Sequence, residues 1–257
     1  MNQRFYRIKD FVKQNFFFYL LGFVVILGIK YFYCKAGSDA LIWILAPTTK
    51  WVSILSGIPF SYESGLGYVN HNLRYVIAPS CSGVQFMLIL MATLMFSFVH
   101  RTGNGRFLWT LGSIMVSYPL TVFINGLRII MAIYLPLFLE GSNFHGVLLT
   151  PDRLHTLIGT VVYFVSLLTI HRLVDVVFLR ISESAANAQT SIIPKFLAPL
   201  FWYFFIVLGI PFLNSAVQKR PEQFFEYALL IISACGLIIG VYSCVSLIKK
   251  LGSSRAL

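Results

Sequence analysis

From Ser82 to Val99 the chain runs eighteen residues without a formal charge. That is close to the ~20 apolar residues a helix needs to cross the hydrocarbon core of a bilayer. Comparable apolar runs recur at 14–33, 107–124, 154–170, 196–213 and 227–248. A soluble domain carries about 25% charged residues. Here charged residues make up 11% and hydrophobic ones 58% of the 257 positions. The chain therefore reads as an all-α polytopic membrane protein, a bundle of about 6–8 transmembrane helices.

The breaks between runs refine this picture. Residues 40–60 are apolar but interrupted by Pro47, Lys50 and Pro59, and residues 129–139, which follow Asn125-Gly126-Leu127-Arg128, are too short to cross alone. Both are expected to be re-entrant or interfacial. Residues 61–78 are polar, with Gly65, Gly67 and Asn72 among Tyr and Val, and suggest a short hairpin or loop. The net charge of +11 would suit nucleic acid, but the basic residues sit in short clusters between apolar runs, the pattern of cytoplasmic loops. No nucleic-acid partner is expected. Lys30, Tyr31 and Lys35 follow the first run without a small-residue cleavage site, so it reads as a retained anchor. The cysteines at 34, 81, 235 and 244 form no C-x-x-C pair and no metal-ligand pattern, so neither metal nor cofactor is expected.

The basic clusters set the orientation. The N-terminal Arg4, Arg7, Lys9 and Lys13, the loop His100–Arg106, the linker 171–195 and the C-terminal Lys249, Lys250 and Arg255 all go to the cytoplasm under the positive-inside rule. Both termini are then cytoplasmic. The spans at 82–99, 107–124 and 154–170 bring Cys81, Arg128 and His155 to one outer face.

Each of the three has a chemical reading and a plain one. Cys81 follows Pro79 and Ser80 and precedes Ser82-Gly83 at the mouth of the uncharged run, on the positive end of a helix dipole, where a thiolate is favoured. The plain reading is a small apolar residue packed at a helix end. Asn125-x-x-Arg128 puts two polar groups on one helical face, and an arginine in apolar surroundings is functional by default, although it also serves as a snorkelling anchor. His155 opens His155-Thr156-Leu157-Ile158-Gly159, where Gly159 lets a neighbouring helix come close; alternatively His155 only faces headgroups. Together these types suit thiol acyl transfer. Cys81 is the nucleophile, His155 the proton carrier and Arg128 the oxyanion partner, supported by Asn125 and the backbone N–H groups of Ser82, Gly83 and Val84. His145, in the loop 140–153, is an alternative base. Arg74 is a candidate contact for an acidic group on the substrate or a lipid phosphate. His71, His100 and His171 read as solvated.

Three blocks carry a family resemblance: Ser80-Cys81-Ser82-Gly83, Asn125-Gly126-Leu127-Arg128-Ile129 and Leu154-His155-Thr156-Leu157-Ile158-Gly159. Their order, Cys then Arg then His, resembles the exosortase/archaeosortase family of membrane transpeptidases over about residues 14 to 170. The resemblance implies a Cys81–Arg128–His155 site at the outer face of the inner membrane. It also implies cleavage of C-terminal sorting tails (a short motif, one transmembrane helix, a basic end) and transfer of the protein to an acceptor. Partners would be the tails of exported proteins, membrane lipids and a lipid-linked or glycan acceptor. Ser80 stands where the family often has an acidic residue. The implied division is a catalytic core over 1–170, a basic cytoplasmic linker over 171–195, and two further helices with a basic tail over 196–257. The competing readings are a transporter or flippase, and a non-catalytic subunit of an envelope polysaccharide or secretion assembly.

Overall fold

The computed structural model describes residues 2–139, 150–182, 196–213 and 221–254. Among these residues the fold is seven helices and one small sheet. Helix α1 (Asn2–Lys35) leads into α2 (Ile42–Ser56). A three-stranded antiparallel sheet follows, β1 (Ser61–Glu63), β2 (Gly67–Asn70) and β3 (Tyr75–Ile77), in the order β1-β2-β3 with Tyr62 opposite Tyr68 and Tyr68 opposite Ile77. A 3₁₀ turn, Pro79–Cys81, delivers the chain to α3 (Val84–Phe98). Then come α4 (Arg106–Leu139) and α5 (Pro151–Ser182). Helix α6 runs over Leu197–Leu213, α-helical at first and widening into a π turn at Phe205–Gly209. The last helix, α7, spans Pro221–Ser254.

Five segments are long and apolar enough to cross a bilayer: Gln14–Lys35, Pro79–Arg101, Gly103–Pro136, Asp152–Arg180 and Glu222–Val245. Helix α2, with 15 residues and Pro47 inside it, reaches only about 22 Å at 1.5 Å per residue. That is short of a ~30 Å hydrocarbon core, as expected for residues 40–60. Residues 196–213, expected to be a full span, also form a shorter helix.

Helix α3 is the central pole, packed against α1, α4, α5 and α6. Its core partners include Phe164, Tyr203, Ile206, Ile231 and Cys235. A second apolar cluster joins α2, β3, the start of α3 and α4 through Leu41, Ile44, Leu45, Ile77, Val84, Met87, Ile129 and Ile133.

Three expectations change. Asn125-Gly126-Leu127-Arg128 does not interrupt anything: α4 is one helix of 34 residues, and 129–139 is its continuation. Gly126 is there for packing, since a Cβ on it would stand 2.4 Å from Trp51 Cδ1 of α2. The indole fills the space that a side chain would take, and burial of the two helices against each other outweighs glycine's ~1 kcal/mol helix penalty. Residues 171–182, read as the start of the linker, are the last turns of α5, while 183–195 lie outside the described residues. His171 is buried rather than solvated, its ring 5.0 Å from that of Phe98.

Candidate active site

The site is assembled where the 3₁₀ turn meets α4 and α5. Pro79 fixes the first residue of the turn, and Cys81 N–H donates to Ala78 O at 2.8 Å. Gly83 then turns the chain into α3 with φ +76°, in the left-handed region open to glycine. A Cβ there would lie 2.8 Å from Asn125 Cγ, so this glycine serves both the turn and the close approach of α4.

Asn125, fully buried on α4, uses that approach. Its Nδ2 donates to the carbonyl of Cys81 at 2.6 Å. Its Oδ1 accepts from Tyr163 Oη of α5 at 2.6 Å and from Arg128 Nη1 at 3.5 Å. Arg128 lies one turn further along α4, 7% exposed. Its Nη2 meets His155 Nε2 at 2.5 Å, and its guanidinium carbon sits 5.5 Å from the centre of the Tyr163 ring. A guanidinium only donates, so His155 accepts through Nε2 and its ring is the Nδ1–H tautomer. Gly159, one turn from His155, opens the space for Arg128, since a Cβ there would stand 3.2 Å from Nε. Among the described residues Arg128 forms no salt bridge, and its Nε has no hydrogen-bond partner.

A cavity of about 150 Å³ opens at this point. Ser80, Gly83, Arg128, His155, Gly159 and Tyr163 are on its wall, and Tyr203 and Tyr227 close it from α6 and α7.

The structure thus brings Arg128, His155 and Asn125 into direct contact and ties Cys81 to them through its backbone. The thiol, 7% exposed, belongs to the apolar cluster of α2, β3 and α4 and makes no described hydrogen bond. It lies within electrostatic reach of Arg128, Tyr33, Tyr75 and Tyr163. Tyr75, on the sheet, has its hydroxyl pushed up to about 12, by burial first and then by the neighbouring Cys81, with Arg128 opposing.

The supporting residues differ in what they have left to give. Asn125 is committed to holding the Cys81 turn and Tyr163. Ser82 N–H donates to Pro79 O at 3.1 Å, and Val84 N–H reaches Ser82 Oγ at 3.5 Å. Gly83 N–H enters no described hydrogen bond, which leaves it and Arg128 as donors for an oxyanion. Both polar atoms of Asn125 thus have partners, Nδ2 in the Cys81 carbonyl and Oδ1 in Tyr163 and Arg128. Arg74 stands exposed in the β2–β3 turn, at φ 50°. His145 lies outside the described residues.

Sequence reasoning missed the tyrosines. Tyr163 stacks on Phe86 at 4.5 Å and 13°, and Tyr33 Oη donates to Pro79 O at 3.4 Å. Tyr163 is eight residues from His155, the i, i+4, i+8 series of one helical face that also holds Gly159, and that spacing was the available signal.

A polytopic helical bundle with a buried Asn–Arg pair and a half-buried histidine against a cysteine turn defines a class of membrane protein with a polar site at one end. The family model described as Transmembrane exosortase matches residues 9–172, and the chain belongs to this family. Neither the curated proteins nor the solved structures include a match.

Proposed function

We propose that the chain is a membrane-embedded cysteine transpeptidase. It cleaves C-terminal sorting tails of exported proteins at the outer face of the inner membrane and passes the protein to an acceptor. The observation that carries this reading is Arg128. It is buried, without a carboxylate among its described partners, on the wall of a cavity beside the Cys81 turn and in contact with His155. A buried cation held only by neutral dipoles and a ring face is costly unless a developing negative charge uses it.

In the reaction, the substrate carbonyl enters beside Arg128 and Gly83 N–H. Arg128 turns its donors to the oxygen, which frees His155 Nε2. The thiol proton of Cys81 passes to His155 while sulfur attacks the carbonyl carbon. The tetrahedral oxyanion collapses, the C–N bond breaks, and His155 returns the proton to the leaving amine. The thioester is then attacked by the acceptor. Its proton passes through His155 to the departing sulfur.

The test is a reporter ending in a sorting tail, co-expressed with the chain and followed by the change in its size. Cys81→Ala and Arg128→Ala are expected to insert normally and to stop processing. Normal processing by both variants would refute the assignment. His155→Ala is expected to be more damaging than His145→Ala; the opposite order would move the proton carrier to His145.

A further inference from the structure

The Cys81 thiol is buried among Ile77, Val84, Met87 and Ile129. A negative charge on sulfur among such apolar neighbours is costly unless a donor bonds to it. Among the described residues four donors lie within electrostatic reach of the thiol: Arg128 of α4, Tyr163 of α5, Tyr33 of α1 and Tyr75 of β3. Three of them are engaged. Tyr163 Oη donates to Asn125 Oδ1 at 2.6 Å, and Tyr33 Oη donates to Pro79 O at 3.4 Å. Arg128 is bonded to Asn125 and His155, and in the proposed reaction its donors turn to the substrate oxygen. The Tyr75 hydroxyl enters no hydrogen bond among the described residues. Pushed up to about 12, it also keeps its proton to donate at any working pH.

The sheet aims this side chain. Tyr75 and Ile77 share one face of β3 by strand alternation, and Ile77 is fully buried in the cluster that holds Cys81. Val76, between them, faces the other way and is 39% exposed. Asn70, opposite Tyr75 on β2, is buried; its Nδ2 donates to Pro59 O at 2.6 Å, and its Oδ1 accepts from Leu73 N–H at 2.8 Å, which fixes the β2–β3 turn. Arg74, directly before Tyr75, sits at φ 50°, the one non-glycine residue at positive φ among the described ones. Strain of that kind persists where surrounding contacts over-determine the backbone, and it clusters at functional sites. From Ile77 the chain passes through Ala78 straight into the Pro79–Cys81 turn. We propose that the Tyr75 hydroxyl is the hydrogen-bond donor that steadies the charge on Cys81 sulfur, both when the thiol gives its proton to His155 and when sulfur leaves the thioester. The proposal rests on the transpeptidase reading and gives the sheet its role in it: the sheet carries the donor to the thiol.

The test needs no substrate. The full chain, with Cys34, Cys235 and Cys244 replaced by alanine, keeps Cys81 as its one thiol. Its alkylation by iodoacetamide, a small uncharged reagent that reacts with the thiolate, is timed from about pH 6 to about pH 9.5. Tyr75→Phe keeps the ring and loses only the hydroxyl. It is expected to slow the reaction near neutral pH by about three- to tenfold and to leave the alkaline plateau rate unchanged. A substitution that only loosened the site would move both rates together. Tyr33→Phe and Tyr62→Phe should change the ratio of neutral to plateau rate by less than about twofold, because those hydroxyls are engaged with Pro79 O and Asp39. An unchanged ratio in Tyr75→Phe, an equal change in Tyr33→Phe, or a Cys81 that reacts at no pH would each overturn the inference. The transpeptidase reading stands or falls separately, on reporter processing by Cys81→Ala.

Discussion

The bundle has two polar ends, and they treat buried charge in opposite ways. At one end Arg101 Nη1 donates to Asp175 Oδ1 at 2.8 Å, with Arg172 at 3.9 Å from the same carboxylate. Phe98, Trp109, Phe178 and His171 pack around that pair, with Phe98 and Phe178 stacked at 5.4 Å. At the other end Arg128 has neutral partners, Asn125, Tyr163 and His155, and a cavity in front of it. The twenty residues from His155 to Asp175 on α5 separate the two ends by about 30 Å, one hydrocarbon thickness. A partly exposed cation matched by a buried carboxylate and flanked by aromatics ties the helices together. In the reaction proposed above, a cation left unmatched beside a cavity serves a charge that comes from outside.

This contrast predicts a crossed pattern of mutants. Arg128→Met should lower reporter processing by about 100- to 1000-fold, the range for losing an oxyanion donor. Its unfolding midpoint in detergent should hold or rise, because an apolar side chain replaces an unmatched buried charge. Asp175→Ala should do the reverse. We expect a loss of about 3 kcal/mol, the low end for breaking a buried pair because Arg101 is partly exposed, with processing retained below the melting point. If both substitutions affected stability and processing alike, the two ends would not differ as described.

Smaller effects sharpen the site end. Gly83→Ala forces a side chain into φ +76° and against Asn125, at a cost of about 1–3 kcal/mol, and should slow processing through the displaced Cys81 turn. Tyr163→Phe removes the hydroxyl that Asn125 accepts, worth about 1 kcal/mol, and should leave Arg128 in place over the ring. The mildest concerns the sheet. The Tyr62 hydroxyl, with Gly65 N–H and Ser64 Oγ, holds the Asp39 carboxyl below the usual carboxylate range. A depressed carboxyl stabilises the fold above about pH 4 and loses that contribution as pH falls through its folded value. The protection of the β1 amides, taken relative to the intrinsic exchange rate at each pH, should therefore fall on acidification, and Tyr62→Phe should flatten the response.

The long uncharged runs made the helices legible, because a bilayer leaves few alternatives for them. Cys81, Arg128 and His155 were legible as three blocks. Their order and their shared depth pointed to one end of the bundle before any contact was known. What was not legible depended on side chains packing across helices. Gly126 looks like a breaker until Trp51 is seen lying against it, and no local rule links residues 51 and 126. His171 looked loop-bound because Arg172 follows it, yet α5 runs on and turns the ring onto Phe98. Tyr227 belongs to a helix beyond the matched stretch, and only the shared cavity connects it to His155.

The central position of α3 bears on how the protein is made. In its span 83% of the most apolar eighteen-residue window is buried, against 11% to 28% for the other four. During synthesis this helix enters the bilayer with only α1 and α2 made before it. It gains its remaining neighbours as α4, α5 and α6 arrive. The turn that presents Cys81 is pinned by Asn125 of α4, and Asn125 by Tyr163 of α5. A nascent chain that has not yet delivered α5 holds the Cys81 turn against an Asn125 that Tyr163 does not yet fix, and without His155. The enzyme proposed here would acquire its reactivity at the same step that completes its bundle, which protects the membrane from an unfinished one.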